Sequence, residues 1–204
     1  MSDIVADLAT LDALYGAVDE RSIIKVTDHV HPVYKPWIEA SPFAILSTSG
    51  PGGVDASPRG DGPGFVEVAD PHTLLMPDRR GNNRADSLRN IIGDPRVGLL
   101  FMVPGLGETL RVNGTAAISV APDLLERFTM AGKAPRTVLV VCVQEVYFQC
   151  ARAVVRADLW NPARHVQRGQ LPTAGAILAA LSAERLGGAE YDRGWAERVR
   201  ATLY

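Results

Sequence analysis

The segment RTVLVVCVQEVYFQ, residues 136–149, constrains the fold most. Val138, Val140, Val141, Val143 and Val146 load it with β-branched side chains, which are stiff in a helix and pack well on a pleated surface. It is expected to form a central β-strand. Its apolar core, residues 138–143, is of strand length, and no apolar run in the sequence approaches the roughly 18 residues a membrane span needs.

Around this strand the sequence lays out further short apolar segments separated by turn residues. Residues 43–49 read as a strand, GPGG at 50–53 as a tight turn, and the chain from Val54 as the returning strand of a hairpin. Further strands are expected near 65–68, at 73–76, at 96–103 and, after the turn PGLG, at 108–120. Short turns between strands imply antiparallel order, and about six strands imply a small closed or partly closed barrel.

Helices flank this β region. Ile4, Leu8, Leu11, Tyr15 and Val18 mark one face of an N-terminal packing helix that Ser2 or Asp3 would cap. A short helix is expected around Trp37 and Ile38, another over 122–130, and two more after Pro172 and over 189–203. The fold class expected is therefore mainly β with flanking helices, an α+β protein. One domain spans 1–204: an N-terminal helical segment over 1–40, the barrel over 41–150 and a C-terminal helical segment over 151–204.

With 204 residues, 47% apolar and 22% charged, the chain has the balance of a soluble globular domain. A formal net charge of −2 gives no general attraction to nucleic acid, so any basic site must be local. The N-terminus has no basic stretch followed by an apolar signal core, and Cys142 and Cys150 lie too far apart along one strand to bridge. Two unpaired thiols fit a reducing compartment, and a cytoplasmic protein is expected.

The basic site is PDRRGNNRADSL, residues 77–88. It leaves a strand at Pro77 and enters a helix whose apolar positions are Ala85, Leu88, Ile91 and Ile92, with Asp86 in the first turn. A loop opening a helix offers unpaired backbone N–H groups and the positive end of the helix dipole. Arg79, Arg80 and Arg84 add fork-shaped donors suited to phosphate oxygens, and Asn82 and Asn83 add neutral ones. The ligand expected is a phosphorylated small molecule.

Two other patterned segments accompany the loop. In SPRGDGPG, residues 57–64, the prolines and glycines argue against regular structure, and Arg59 can point back beside the basic loop as a further phosphate donor. In GETLRVNGTAAI, residues 107–118, Leu110, Val112 and Gly114 suit a strand that bends, while Thr109, Arg111 and Asn113 share its other face. His29 and His31 have a spacing that two metal ligands can use on a strand but lack a third partner, so no metal is expected. His72 and His165 read as isolated, Cys142 as a buried small residue, and Tyr147, Phe148 and Trp160 as core aromatics.

SPRGD, PDRRGNNRADSL, DPRVGLLF and LRVNGTAAI, in this order, resemble the pyridoxamine 5′-phosphate oxidase superfamily, and within it a branch of FMN-dependent enzymes without an assigned substrate. The resemblance implies a six-stranded antiparallel split β-barrel of FMN-binding type, acting as a homodimer with FMN at the subunit interface. It places Arg59 and the segment 79–84 at the FMN phosphate, with Asn82, Asn83 and Arg84 where the family has a Ser/Arg/Lys cluster. Pro77 and Asp78 would lie along the flavin ring, Thr109 and Arg111 on a strand approaching FMN, and Trp160 and Arg164 nearby in the C-terminal segment.

The sequence departs from true pyridoxamine phosphate oxidases at their substrate-binding positions. The segment beginning at Arg59 has no lysine, residues 122–138 carry no Tyr/Arg/Ser cluster, and no Arg-x-His follows Trp160. The expected activity is therefore FMN-dependent oxidoreduction, with hydride transfer through flavin N5, of a small substrate other than pyridoxamine phosphate. A flavin or haem carrier without turnover, or a deazaflavin-dependent member of the same superfamily, is the alternative.

Overall fold

The valine-rich segment becomes an interior strand of a seven-stranded antiparallel sheet in a computed structural model that describes residues 3–204. In chain order the elements are α1 (Leu8–Tyr15), α2 (Glu20–Ile24), α3 (Lys35–Ala40), β1 (Phe43–Gly50), β2 (Gly53–Gly60), β3 (Glu67–Asp70), β4 (Thr73–Asp78), α4 (Asp86–Gly93), β5 (Arg96–Met102) and β6 (Thr109–Ser119). Then come α5 (Pro122–Arg127), β7 (Thr137–Gln149), α6 (Arg152–Ala157), α7 (Ala174–Leu181), α8 (Gly188–Arg193) and α9 (Trp195–Thr202). The sheet order is β2-β1-β5-β6-β7-β4-β3, and every pairing is antiparallel. The expected fold class holds: each of the seven segments read as strands, including the short one near 65–68 that becomes β3 at one edge, forms a strand, one more than the six of the expected barrel type.

Alternation along the strands builds the interior. Ala44 and Leu46 of β1, Val97, Leu99 and Phe101 of β5, Leu110 and Val112 of β6, Leu139 and Val141 of β7, and Leu74 and Met76 of β4 form one buried cluster, into which α3 inserts Ile38 and α4 inserts Ile91. On the other face of the sheet, Leu75, Val138 and Phe128 pack with Leu124 and Leu125 of α5. Phe101 is 1% exposed, so Phe101→Ala should cost about 3–5 kcal/mol through lost burial and a cavity. A urea midpoint unchanged by this substitution would contradict the assigned core.

Gly114 of β6 lies opposite a bulge in β7. Asn113 pairs with Glu145 but Gly114 pairs with Val143, so Gln144 is an extra residue in β7. A Cβ on Gly114 would lie 2.0 Å from the Cys142 carbonyl oxygen, closer than any side chain can approach. Next to this bulge the N-terminal segment joins the sheet through a bridge between Thr27 and Val146.

Several expectations are corrected. The N-terminal helix is capped by Asp7, whose side chain accepts from the Thr10 N–H, and not by Asp3; Ser2 lies outside the described residues. None of its residues is buried, so within one chain it is not a packing helix. Residues 57–60 are regular structure after all: β2 runs through Pro58, which the sheet tolerates because β2 is an edge strand. Cys142 is exposed on the outer side of β7, and Phe148 and Trp160 are each 37% exposed, so none of the three is core. His72 is not isolated, since its ring lies 5.8 Å from that of His29, which is 6.0 Å from His31. Among the described residues no cluster of His, Cys, Asp and Glu has metal-holding geometry, and no helix is long and apolar enough to cross a membrane.

Candidate functional site

Strand β4 outlasts its neighbour β3, which pairs only with Thr73 to Leu75, so its last residues Pro77 and Asp78 open onto a cavity. The cavity has a volume of about 720 Å³, within the roughly 300–1,000 Å³ of small-molecule sites. Its walls are β2 from Asp55 to Gly60, the loop 79–85, the N-terminal turn of α4, and Arg136 with Thr137 at the start of β7. Arg59, Pro77, Asp78, Arg79, Arg80, Asn82, Asn83 and Arg84 all line it.

The loop earns its shape from local hydrogen bonding. Asn82 Oδ1 accepts from the Arg84 N–H at 3.0 Å, an Asx turn. Asn83 and Ala85 adopt left-handed backbone, with φ of 62° and 56°. For asparagine this is common; for alanine it is strained by roughly 1–2 kcal/mol. The strained Ala85 precedes α4 and supplies no cap, so the first N–H groups of that helix have no side-chain acceptor.

Alternate residues of β2 build the opposite wall. Asp55, Ser57 and Arg59 share one half-buried face of the strand. Ser87, buried in the first turn of α4, donates from Oγ to Asp55 Oδ2 and accepts from Arg59 Nη2 at 3.3 Å. Arg59 Nη1 also donates to Ser57 Oγ and to the Pro58 carbonyl. These bonds hold the guanidinium in place, yet its Nε is buried without a partner. The other buried side-chain polar atom without a partner among the described residues is Thr137 Oγ1, in the same cavity lining.

Not every arginine is equally available. Arg79 donates from Nε to Asp61 Oδ2 at 2.7 Å and from Nη1 to the Phe128 carbonyl at 2.6 Å, and its guanidinium lies 5.6 Å from the Tyr204 ring centroid. Arg84 pairs with Asp86 at 2.8 Å but remains largely exposed, and Arg136 donates to Asn83 Oδ1 at 3.0 Å. Arg80 is exposed. Five arginines face three aspartates, Asp55, Asp78 and Asp86, so the lining is net positive in a chain that is net negative.

Asp61 anchors the rim of the site. Burial raises its carboxyl, but hydrogen bonds from the Tyr204 hydroxyl, the Gly62 N–H and Arg79 outweigh this and hold it below the ordinary carboxylate range. The same bond to Asp61 pushes the Tyr204 hydroxyl upward. A depressed folded-state value means that Asp61 contributes stability above the unfolded value near 3.8 and loses it as pH falls through the lower folded value. Asp61→Asn should therefore cost about 1–3 kcal/mol at neutral pH and flatten the acid limb of the stability profile. An acid limb identical to that of the wild type would refute the anchoring role.

Thr109, Arg111, Trp160 and Arg164 do not line this cavity. Arg111 donates to the Tyr147 hydroxyl at 2.8 Å, Trp160 Nε1 donates to the Leu106 carbonyl at 2.7 Å, and Arg164 lies 3.9 Å from Asp158. The structure adds Asp55, Ser87, Arg136 and Thr137 to the lining. The period-two pattern of Asp55, Ser57 and Arg59 was a usable signal for the first of these, hidden by treating Pro58 as a strand breaker. Thr137 had no local signal, because it reaches the site only through its pairing with Asp78.

A curled antiparallel sheet with an arginine-rich cavity beside its edge strand defines an α+β protein of the split-barrel type. The chain belongs to the pyridoxamine 5′-phosphate oxidase family, whose sequence profile matches residues 30–150. Among solved structures it is similar to HupZ of Group A Streptococcus, with 17% identity over 55% of this chain and 87% of that one and a TM-score of 0.45. A pyridoxamine 5′-phosphate oxidase-type protein of Lactobacillus delbrueckii matches with 20% identity over 59% and 95% of the two chains and a TM-score of 0.46. General Stress Protein 26 of Bacillus anthracis matches with 16% identity over 55% and 88% and a TM-score of 0.38. No curated protein sequence matches the chain.

Proposed function

We propose that the cavity holds the phosphate of FMN and that the protein is an FMN-dependent oxidoreductase of a small substrate other than pyridoxamine phosphate. The observation that carries this reading is the pair of buried, unpartnered polar atoms, Arg59 Nε and Thr137 Oγ1, contributed by two different strands to the lining of one cavity. Each such atom costs about 1–3 kcal/mol if left without a partner, and a phosphate oxygen accepts from both donor types. The uncapped turn of α4 and the exposed Arg80 and Arg84 supply further donors to the same space.

When bound, FMN supplies hydride transfer at its N5. The chain's own residues bind and orient it: Arg59, Arg84, Asn82 and Asn83 at the phosphate, and the backbone groups of Pro77 and Asp78 along the path that leads away from it. The proposed assembly is a homodimer with FMN at the subunit interface. Thr109, Arg111, Trp160 and Arg164, absent from their own chain's cavity, are assigned to the cavity of the other chain.

The test is the visible absorption spectrum of the purified protein, with chromatography of whatever denaturation releases, and titration with added FMN. A flavin spectrum and released FMN are expected, together with a dimer on sedimentation. A colourless protein that does not bind added FMN would overturn the assignment, and a released haem or deazaflavin would replace it.

A further inference from the structure

Asp78 stands out among the charged groups of the cavity. Asp55 accepts from Ser87, and Asp86 pairs with Arg84. Asp78 is 24% exposed and has no such close donor; its nearest charged partner is Arg59, with Nη2 4.0 Å from Oδ1. It ends β4 directly opposite Thr137, so the two side chains share one face of the sheet, and the Thr137 hydroxyl has no partner there either. A carboxylate has thus been placed against the cations that face an incoming anion.

We propose that Asp78 is a built-in competitor for the ligand's negative charge: ionised in the free protein, it balances Arg59 and Arg136, and it takes up a proton when a phosphate dianion enters. This deepens the proposed function and rests on the cavity being the phosphate site. The groups acting on Asp78 are Arg59 from β2 and Arg136 from the segment before β7, both favouring its charge, against burial by β4 and β7, which disfavours it. Burial is the larger influence and leaves the Asp78 carboxyl above the ordinary carboxylate range. Arg79 next to it is engaged by Asp61, and Arg84 by Asp86, so neither relieves the conflict.

The direction of the coupling follows from charge. A dianion near Arg59 and Arg136 claims their positive field and repels the Asp78 carboxylate, favouring its protonated form. The proton comes from solvent, and no bond other than O–H forms. The contribution of Asp78 to ligand affinity is then most favourable at low pH and becomes less so as pH rises through the window between its free and bound values, levelling off above it.

Isothermal titration of FMN into the intact wild-type protein and into Asp78→Asn, each in two buffers of different ionisation enthalpy at about pH 5 to 6, reads the proton count directly. Comparing the two proteins removes the titration of the FMN phosphate itself. The wild type should take up measurably more protons per FMN than Asp78→Asn, which should bind about tenfold more tightly at neutral pH. Equal proton counts and equal affinities, with FMN bound by both, would overturn the role of Asp78 and leave the FMN assignment standing. Weaker binding by both Asp78→Asn and Asp78→Ala would also overturn it, making the side chain a direct contact. Failure of both proteins to bind FMN or inorganic phosphate would overturn both proposals. If Asp78→Asn does not fold, the wild-type proton count decides: uptake beyond what the phosphate accounts for supports the coupling, and none refutes it.

Discussion

Replacing Arg59 by alanine should weaken FMN binding by roughly 10- to 150-fold, the equivalent of one charge-assisted hydrogen-bond set of about 1.5–3 kcal/mol. Arg59 sits between two acidic groups, 4.0 Å from Asp78 and linked through Ser87 to Asp55. Its removal therefore leaves two carboxylates facing the ligand with less compensation, which places the effect at the upper end of that range. Arg59→Lys should recover only part of the loss, because an ammonium cannot bond Ser57, Ser87 and a phosphate with one rigid fork. Fluorescence titration of FMN checks this, and unchanged affinity in a folded Arg59→Ala protein would remove the arginine from the site. Arg79→Ala should act differently. Its guanidinium holds Asp61 and the Phe128 carbonyl, so its loss should lower the unfolding midpoint.

Gly114→Ala should destabilise the protein by about 3 kcal/mol or more. The added methyl would meet a main-chain oxygen of β7 at 2.0 Å, and a carbonyl held in a ladder cannot rotate aside as a flexible side chain can. Relief requires pulling β6 from β7 at the bulge that turns the sheet. Gly52→Ala is the matching control, since a Cβ there meets nothing within 4 Å, and its effect should stay within about 0.5 kcal/mol. Urea unfolding of the two variants gives the comparison; equal midpoints would mean that β6 and β7 do not approach as closely as described.

Much of this architecture is legible in the residues because strands and helices obey local rules. The valines of residues 138–146 could only be satisfied by burial within a sheet, and the alternation of Leu110 and Val112 with Arg111 and Asn113 set the inner and outer faces of β6 before any partner was known. The loop from Pro77 to Ala85 announced its chemistry through its own composition. Where reading failed, the cause was an environment supplied by another segment. Pro58 fits a strand only because β2 has an open edge, and Cys142 is exposed because its neighbours Val141 and Val143 take the inner face. The residues of α1 have an amphipathic spacing, but no surface of the same chain receives them.

The amino-acid sequence by itself determined the strand and helix content, the antiparallel order and the cluster of arginines and asparagines, because propensity, periodicity and turn chemistry act over a few residues. Only the tertiary structure decided which of those arginines face an open cavity and which are consumed by carboxylates. Arg79 is spent on Asp61, eighteen residues earlier in the chain, whereas Arg59 keeps a buried donor without a partner. It also brought Thr137 opposite Asp78 and placed that carboxylate against Arg59. Such pairings depend on register across the sheet and on the distance between charges in a half-buried space, quantities that exist only once the strands have met.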